Sequence, residues 1–365
     1  KKIIMVFTEK RIRRIKCFLF SLLIICLTPL CESGRLLKGA INDDEYFAGR
    51  EIVCAIDLGD DMRGAHGLET GFNYELLQKF AQDNRCEIRI LTPGKSDDVN
   101  YIDSIENGSL DIYITHIEGN ESIDGLSISH AVRGCSAWVT SDKDARNVMQ
   151  INRWLNYFSA TEEYESVCRR YFNSTNPIKR AQKGIIAENV SPYDNLLKKH
   201  AAELGWDWRM LAAIVYQESK FSINSRSHRG ATGLMQIMPS NGAKYGVTDL
   251  VNPEYNLYAG TAHLKRLQRL YSGNGFSQEE LIKFTLAAYN AGEGRVKDCR
   301  SLAASMNLDN KVWDNIVKVI PMMREESILE DESVKLGMFQ GYETIAYIEN
   351  IMEIYQAICK IHPKV

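Results

Sequence analysis

One carboxylate stands out by its setting. Glu218 closes an apolar helical run within Gln217-Glu218-Ser219-Lys220-Phe221. Met210, Leu211, Ile214 and Val215 supply the buried stripe of that helix, and Glu218 falls one turn past Ile214 on nearly the same face. A carboxyl facing a core loses water, and lost water raises its pKa. It can then stay protonated near neutral pH and act as a general acid. A solvated helix-end glutamate is the plain alternative. Two further stretches bear on the choice. Gly233-Leu234-Met235-Gln236-Ile237-Met238-Pro239 reads as a Gly/Pro-punctuated loop with one amide, Gln236. Ala287-Ala288-Tyr289-Asn290-Ala291-Gly292 puts a Tyr and an Asn where a helix stops at Gly. One acid, several hydrogen-bonding groups and no second acid paired with it by motif form a set suited to cleaving a sugar chain.

The elements that must position these residues follow from periodicity and punctuation. Helices are expected over 196–204, 208–217, 253–271, 278–289, 312–320 and 342–361, several of them separated by Gly205, Gly273, Gly292 and Gly341. Ser191 and Pro192 suit a helix cap and first turn at the opening of this mainly helical domain, placed at 191–362. Before it, 176–190 reads as a polar linker. From 45 to 175 the pattern alternates: strands at 52–56, 88–91, 110–114 and 137–140, with helical spacing at 72–81, 102–107, 148–158 and 162–172. Strand–helix alternation predicts an α/β domain with a parallel sheet covered by helices.

The front domain is similar to the extracytoplasmic solute-binding proteins for amino acids. Gly71-Phe72-Asn73-Tyr74-Glu75-Leu76-Leu77, the Leu110-Asp111-Ile112 strand and the stretch from Ile151-Asn152-Arg153-Trp154-Leu155 to Tyr171-Phe172 carry the likeness. The chain passes from the third strand to the closing segment with little between, so a single lobe is expected. A spacer or docking role then competes with capture of an amino acid or muropeptide.

The segment from Ser191 to Ile358 resembles the lytic transglycosylase domain, a goose-type lysozyme-like fold. The motifs around Glu218, Gly230–Pro239 and Ala287–Gly292 match in order, as does Glu343-Thr344-Ile345-Ala346-Tyr347-Ile348-Glu349-Asn350-Ile351. With a solute-binding-like module in front, the arrangement is similar to the membrane-bound murein transglycosylase F type. The resemblance implies that Glu218 is the only catalytic acid/base. It implies that Ser219 bonds within the cleft or to a substrate acetamido group, and that Gln236, Met238, Tyr289, Asn290, Glu343 and Tyr347 line the cleft. The substrate would be the glycan strands of peptidoglycan, cut between N-acetylmuramic acid and N-acetylglucosamine with a 1,6-anhydro product, and no cofactor or metal is implied. A lysozyme-type hydrolase and a non-catalytic peptidoglycan- or solute-binding protein are the competing readings. Met238 and Tyr347 could also be plain packing residues, since Tyr347, Ile351 and Tyr355 follow a four-residue spacing. Glu343 is the rival second carboxylate, or simply a polar residue opening a helix. Asn241-Gly242 and Glu293 depart from the family's usual Thr-Ala and Pro, at what read as loop edges.

Composition sets the outer bounds. The chain has 365 residues, enough for two cores, with 45% hydrophobic and 25% charged residues and a net charge of −3. Residues 1–34 hold seven Lys and Arg against Glu9 and Glu32, so the remainder is acidic and offers no electrostatic case for nucleic acid. That basic cluster precedes an apolar run from Cys17 to Leu30, short for a membrane span and suited to an export signal. Export to the periplasm is expected. Attachment to the outer membrane through a lipid on Cys31 competes with ordinary cleavage after Ser33. Nine cysteines permit disulfides in an oxidising compartment without fixing their pairing, and none has metal-ligand spacing.

Overall fold

The computed structural model describes residues 45–364 except 59–66, 92–99, 118–123, 134–135, 173–175, 274, 326–327 and 329–333. The expected export segment at 1–34 lies outside the described residues, and so do Cys17, Cys26, Cys31 and Cys135. Among the described residues, no helix is long and apolar enough to cross a membrane. Cys54, Cys86, Cys168, Cys299 and Cys359 are free thiols.

The front part is built on β1 (Glu51–Ile56), α1 (Gly67–Asn84), β2 (Glu87–Ile90), α2 (Tyr101–Asn107), β3 (Ile112–His116), β4 (Leu126–Ile128), β5 (Ser136–Ser141), α3 (Arg146–Phe158) and α4 (Glu162–Phe172). The strands form one sheet in the order β2-β1-β3-β5-β4. β1 pairs in parallel with β2 and β3, with Cys54 opposite both Ile90 and Ile112. The expectation of a parallel sheet is corrected at its other edge, where β5 runs antiparallel to β3 and β4 antiparallel to β5. The cause is the connection. Residues 129–135 between β4 and β5 are too few for a parallel crossover, which needs a dozen or more. The two strands pair antiparallel instead, with Ser129 N donating to the Trp138 carbonyl at 2.9 Å. β4 itself was not expected, because Leu-Ser-Ile is too short to show alternation. Phe80, Trp138, Trp154 and Phe158 pack ring to ring beneath the sheet.

The segment read as a linker contains a helix, α5 (Pro177–Gln182), with Asn176 accepting from Ile178 N and Lys179 N as its cap. This helix packs on the last helix of the chain. Ala187 N also donates to the Ile361 carbonyl at 2.7 Å.

The rear part is helical: α6 (Asp194–Leu204), α7 (Trp208–Ser219), α8 (Pro239–Lys244), α9 (Pro253–Gln268), α10 (Gln278–Ala291), α11 (Glu293–Ser305), α12 (Trp313–Val319) and α13 (Tyr342–Ile361). α8 and α11 were not expected. α8 holds Asn241 and Gly242 in its turns, and Glu293 opens α11, so neither departure sits at a loop edge. Ser191 does not cap α6 directly. Asp194 accepts from Val190 N, Ser191 N and Ser191 Oγ instead.

α7 is buried nearly all round. Asp207 caps it and clamps Arg209 with both carboxylate oxygens. α13 lies along α7 and buries Ile348, Ile351, Ile354, Ile358 and Ile361. Each such side chain contributes about 1.5–3 kcal/mol of transfer free energy. This pairing fixes the register in which α13 presents its side chains to the C-terminal end of α7.

Candidate active site

Glu218 sits in the last turn of α7, half-buried. Its Oε1 accepts from the Tyr347 hydroxyl on α13 at 2.5 Å. Burial raises the Glu218 pKa to about 7, against the opposing pull of the Tyr347 hydrogen bond and the Lys220 ammonium. The groups acting on this carboxyl are therefore lost water, a phenol and an amine. Among the described residues, no carboxylate is one of them.

Beyond Glu218 the backbone is strained. Lys220 and Phe221 both have positive φ, 54° and 67°. Non-glycine residues in that region store energy on the order of 1–3 kcal/mol each. Burial of the Phe221 ring holds the turn in place, and Lys220 lies over the Tyr216 ring at 4.3 Å. The turn brings the Lys220 charge back toward Glu218, and loss of water around that ammonium lowers its own pKa.

The Gly233–Gln236 loop forms the next wall, and three helices pin it. From α7, buried Ser219 Oγ lies 2.9 Å from the Leu234 carbonyl and 3.2 Å from the Val215 carbonyl. From α10, the Tyr289 hydroxyl donates to the Met235 carbonyl at 2.7 Å. From α9, Asn256 accepts from Met235 N at 2.8 Å and donates to the Thr232 and Leu250 carbonyls at 2.9 and 2.8 Å. Asn256 is fully buried, so every polar atom of its amide is spent on this loop. Gln236, at φ 49°, turns its amide N–H groups inward to the Ser225 and Gly233 carbonyls at 2.9 and 3.0 Å.

Glu218, Tyr289 and Tyr347 come together. The Glu218 charge pushes up the pKa of both phenols beyond the effect of their burial, and Tyr289 acts on Tyr347 too. Asn290 follows on α10 and accepts from Thr344 Oγ1 at 2.8 Å, which ties α10 to α13. Met238 is half-buried at the start of α8, and its carbonyl accepts from Asn241 N and Gly242 N. Glu343 is exposed in the first turn of α13. Of the sequence candidates, Glu218 and Tyr347 are hydrogen-bonded, and Tyr289 lies near enough to interact electrostatically with both. Ser219 and Gln236 spend their donors on backbone, and Glu343 is exposed to solvent.

Sequence reasoning missed Lys220, Asn256 and His263. Lys220 was inside the Glu218 motif, but its strained backbone leaves no mark in composition. Asn256 left a readable sign, a polar residue interrupting the apolar face of the 253–268 helix. His263 is a neutral ring, its pKa pushed down to about 4 chiefly by burial, with its centroid 5.6 Å from that of Tyr289. Among the described residues, no cluster of His, Cys, Asp and Glu is arranged to hold a metal ion.

Residues 195–312 match the family described as "Transglycosylase SLT domain". The chain is similar to a "Membrane-bound lytic murein transglycosylase F" of Desulfosudis oleivorans, 30% identical over 227 residues, covering 61% of this chain and 49% of the relative. The protein of the same name from Yersinia enterocolitica is 36% identical over 165 residues, 45% of this chain and 33% of that one. The chain thus spans between about a third and a half of the length of these curated relatives. Among solved structures, the 70 kDa soluble lytic transglycosylase of Escherichia coli aligns with 59% of this chain and 34% of its own. That match has 22% identity and a TM-score of 0.33.

Proposed function

We propose that this chain is a peptidoglycan lytic transglycosylase, cutting the β-1,4 bond from N-acetylmuramic acid to N-acetylglucosamine with Glu218 as its only acid/base. The carrying observation is the state of Glu218: a carboxyl raised to about 7, held by Tyr347, with no carboxylate acting on it among the described residues. Glycosidases commonly use two carboxyl groups, one as acid and one as nucleophile or base. With one, the substrate supplies the nucleophile. Protonated Glu218 gives its proton to the glycosidic oxygen, and the C1–O bond breaks as the muramic acetamido oxygen attacks C1. Glu218, now a carboxylate, takes the proton from O6 of the same sugar. O6 then closes on C1 and expels the acetamido oxygen. No water is added, and Glu218 ends protonated as it began. A pKa near 7 suits a group that must be acid in one half and base in the other.

The remaining residues serve this chemistry unequally. Tyr347 holds the carboxylate between the two halves. Tyr289 and Ser219 fix the Gly233–Gln236 wall, and the Gln236 side-chain oxygen, which accepts from none of the described residues, is placed to accept from a sugar amide or hydroxyl. Met238, Asn290 and Glu343 line the approach. A peptidoglycan substrate is met outside the cytoplasm, so the reading includes export, with attachment to the outer membrane through Cys31 as its lipidated form. The front domain is read as a single solute-binding-like lobe acting as a spacer or docking module. Calorimetric titration of the chain with muropeptides separates that role from a sensor.

The test is digestion of purified sacculi by the chain and mass spectrometry of the released muropeptides. Anhydro ends, lighter by one water than reducing ends, are expected. Reducing ends would make the protein a lysozyme-type hydrolase. No release by an intact, folded chain would turn the reading toward a binding protein.

A further inference from the structure

A cavity of about 320 Å³ opens on the face formed by α6, the turn after α8 and the start of α9, and the chemistry at Glu218 does not use it. Three tyrosines line it. Tyr255 and Tyr258 on α9 are 51% and 44% exposed, and Tyr245 follows α8. His200 on α6 also lines it, yet is only 2% exposed, and among the described residues neither of its ring nitrogens has a hydrogen-bond partner. Glu254 Oε1 lies 3.6 Å from His200 Nε2, too far for a hydrogen bond, and is already engaged by the Lys199 ammonium. Burial lowers the His200 pKa, so the ring is neutral, with one donor and one acceptor unmet.

Volume and chemistry narrow the occupant. One water claims roughly 30 Å³, about a tenth of this space. Small-molecule sites begin at about 300 Å³, so a single ring fits. Glu203 and Glu254 outnumber Lys199 here, which disfavours an anion. An unmet imidazole disfavours a purely apolar guest. A sugar hydroxyl both donates and accepts, matching neutral His200 and the carboxylates, and a pyranose has C–H faces that lie flat on tyrosine rings, whose amphipathic character suits such contacts.

We propose that this cavity is an accessory site for one pyranose ring of an N-acetylated glycan strand, with Tyr255 and Tyr258 stacking on the ring and His200 meeting its hydroxyls. The assignment rests on the peptidoglycan reading above. A line of rings joins the cavity to the catalytic cleft. The Tyr245 hydroxyl is 3.3 Å from His263 Nδ1, and the His263 ring neighbours Tyr289. A strand held at both places gains affinity by its second contact, so the site acts on long glycans and not on short ones.

The experiment uses the chain carrying Glu218→Gln, titrated with N-acetylglucosamine and its oligomers by saturation-transfer NMR and calorimetry. Saturable binding is expected, weakened at least tenfold by Tyr258→Ala and by Tyr255→Ala. In the active chain, either substitution should raise KM for sacculi several-fold while leaving kcat and the turnover of short soluble fragments unchanged. Thermal melting checks folding, and Tyr258→Leu replaces any alanine variant that fails it. Unchanged sugar binding and unchanged sacculus KM in folded variants overturn the site, because any binding then belongs to the Glu218 cleft. If the chain cuts no sacculi, the catalytic reading fails, and the titration still decides the cavity.

Discussion

Tyr347 donates its hydroxyl proton to Glu218 across 129 residues of sequence, joining the N-terminal part of α13 to the last turn of α7. The bond opposes the effect of the site's burial. Desolvation favours the protonated acid, while the phenol stabilises the carboxylate, and the balance lies at about 7. The same contact therefore bears on the protonation of the group as well as on its position.

Removing the phenol should move that balance in one direction. Tyr347→Phe deletes a donor that lowers the Glu218 pKa, so the pKa rises and the alkaline limb of kcat/KM shifts to higher pH. Activity at its optimum should fall about tenfold or more, because the carboxylate formed midway loses its partner. A purely structural role for Tyr347 would lower activity without moving the limb. The pH profile of anhydro-muropeptide release distinguishes the two.

Glu218→Gln should abolish turnover, a loss on the order of 10²–10⁴-fold for a general acid/base. It should also change the pH dependence of stability. The folded pKa of about 7 lies above the ordinary glutamate value of 4.5, so the native state binds the extra proton. Stability from that proton is fully present below about 4.5 and is lost as pH rises through about 7. The full shift corresponds to at most about 3 kcal/mol. The Gln variant escapes this loss and should gain on the parent between pH 5 and 8. Denaturant titrations of both proteins at these two pH values measure the difference, and a constant difference would count against a raised native pKa.

The parts of this fold that were legible in the sequence are those with a local signature. The 342–361 helix was bounded correctly because Gly341 starts it and apolar spacing runs through it. The apolar helical stripe alone left Glu218 open to a solvated helix-end reading, and the motifs around it tipped the choice. The antiparallel edge of the sheet was not legible, since strand direction is set by connection length and β4 is only three residues long. The roles of Ser219 and Gln236 were hidden for another reason. A hydroxyl or amide in a motif looks the same whether it faces a ligand or a carbonyl, and only the fold brings the Leu234, Ser225 and Gly233 carbonyls within reach. Asn256 lay 38 residues beyond Glu218 in sequence, and nothing local linked the two.

Two neighbouring glycines should respond very differently to alanine. Gly233 has φ 80°, and a Cβ there would lie 2.2 Å from Asn256 Nδ2 and 2.3 Å from the Leu250 carbonyl oxygen. Gly230 has φ 85° with nothing within 4 Å of that position. Gly230→Ala should cost about 1 kcal/mol from backbone strain alone. Gly233→Ala adds an overlap with a buried backbone oxygen and should cost several times more, with loss of turnover. Urea midpoints and sacculus digestion read both effects. Equal costs would mean that the loop can move away from α9.

Asn256→Ala removes the amide that serves Met235 N and the Thr232 and Leu250 carbonyls. Each buried group left without a partner costs about 1–3 kcal/mol, and water entering the vacated space recovers part of this, so a net loss of about 2–4 kcal/mol is expected. Asn256→Asp keeps an acceptor for Met235 N but turns a carboxylate oxygen toward two carbonyls, so it should be no better. Both variants release the α9 side of the wall while Ser219 and Tyr289 still hold the other two. Glu218 keeps its bond to Tyr347, so the alkaline limb of the pH profile should stay where it is while kcat falls. A shift of that limb in Asn256→Ala would mean that the wall, as well as Tyr347 and burial, governs the proton on Glu218.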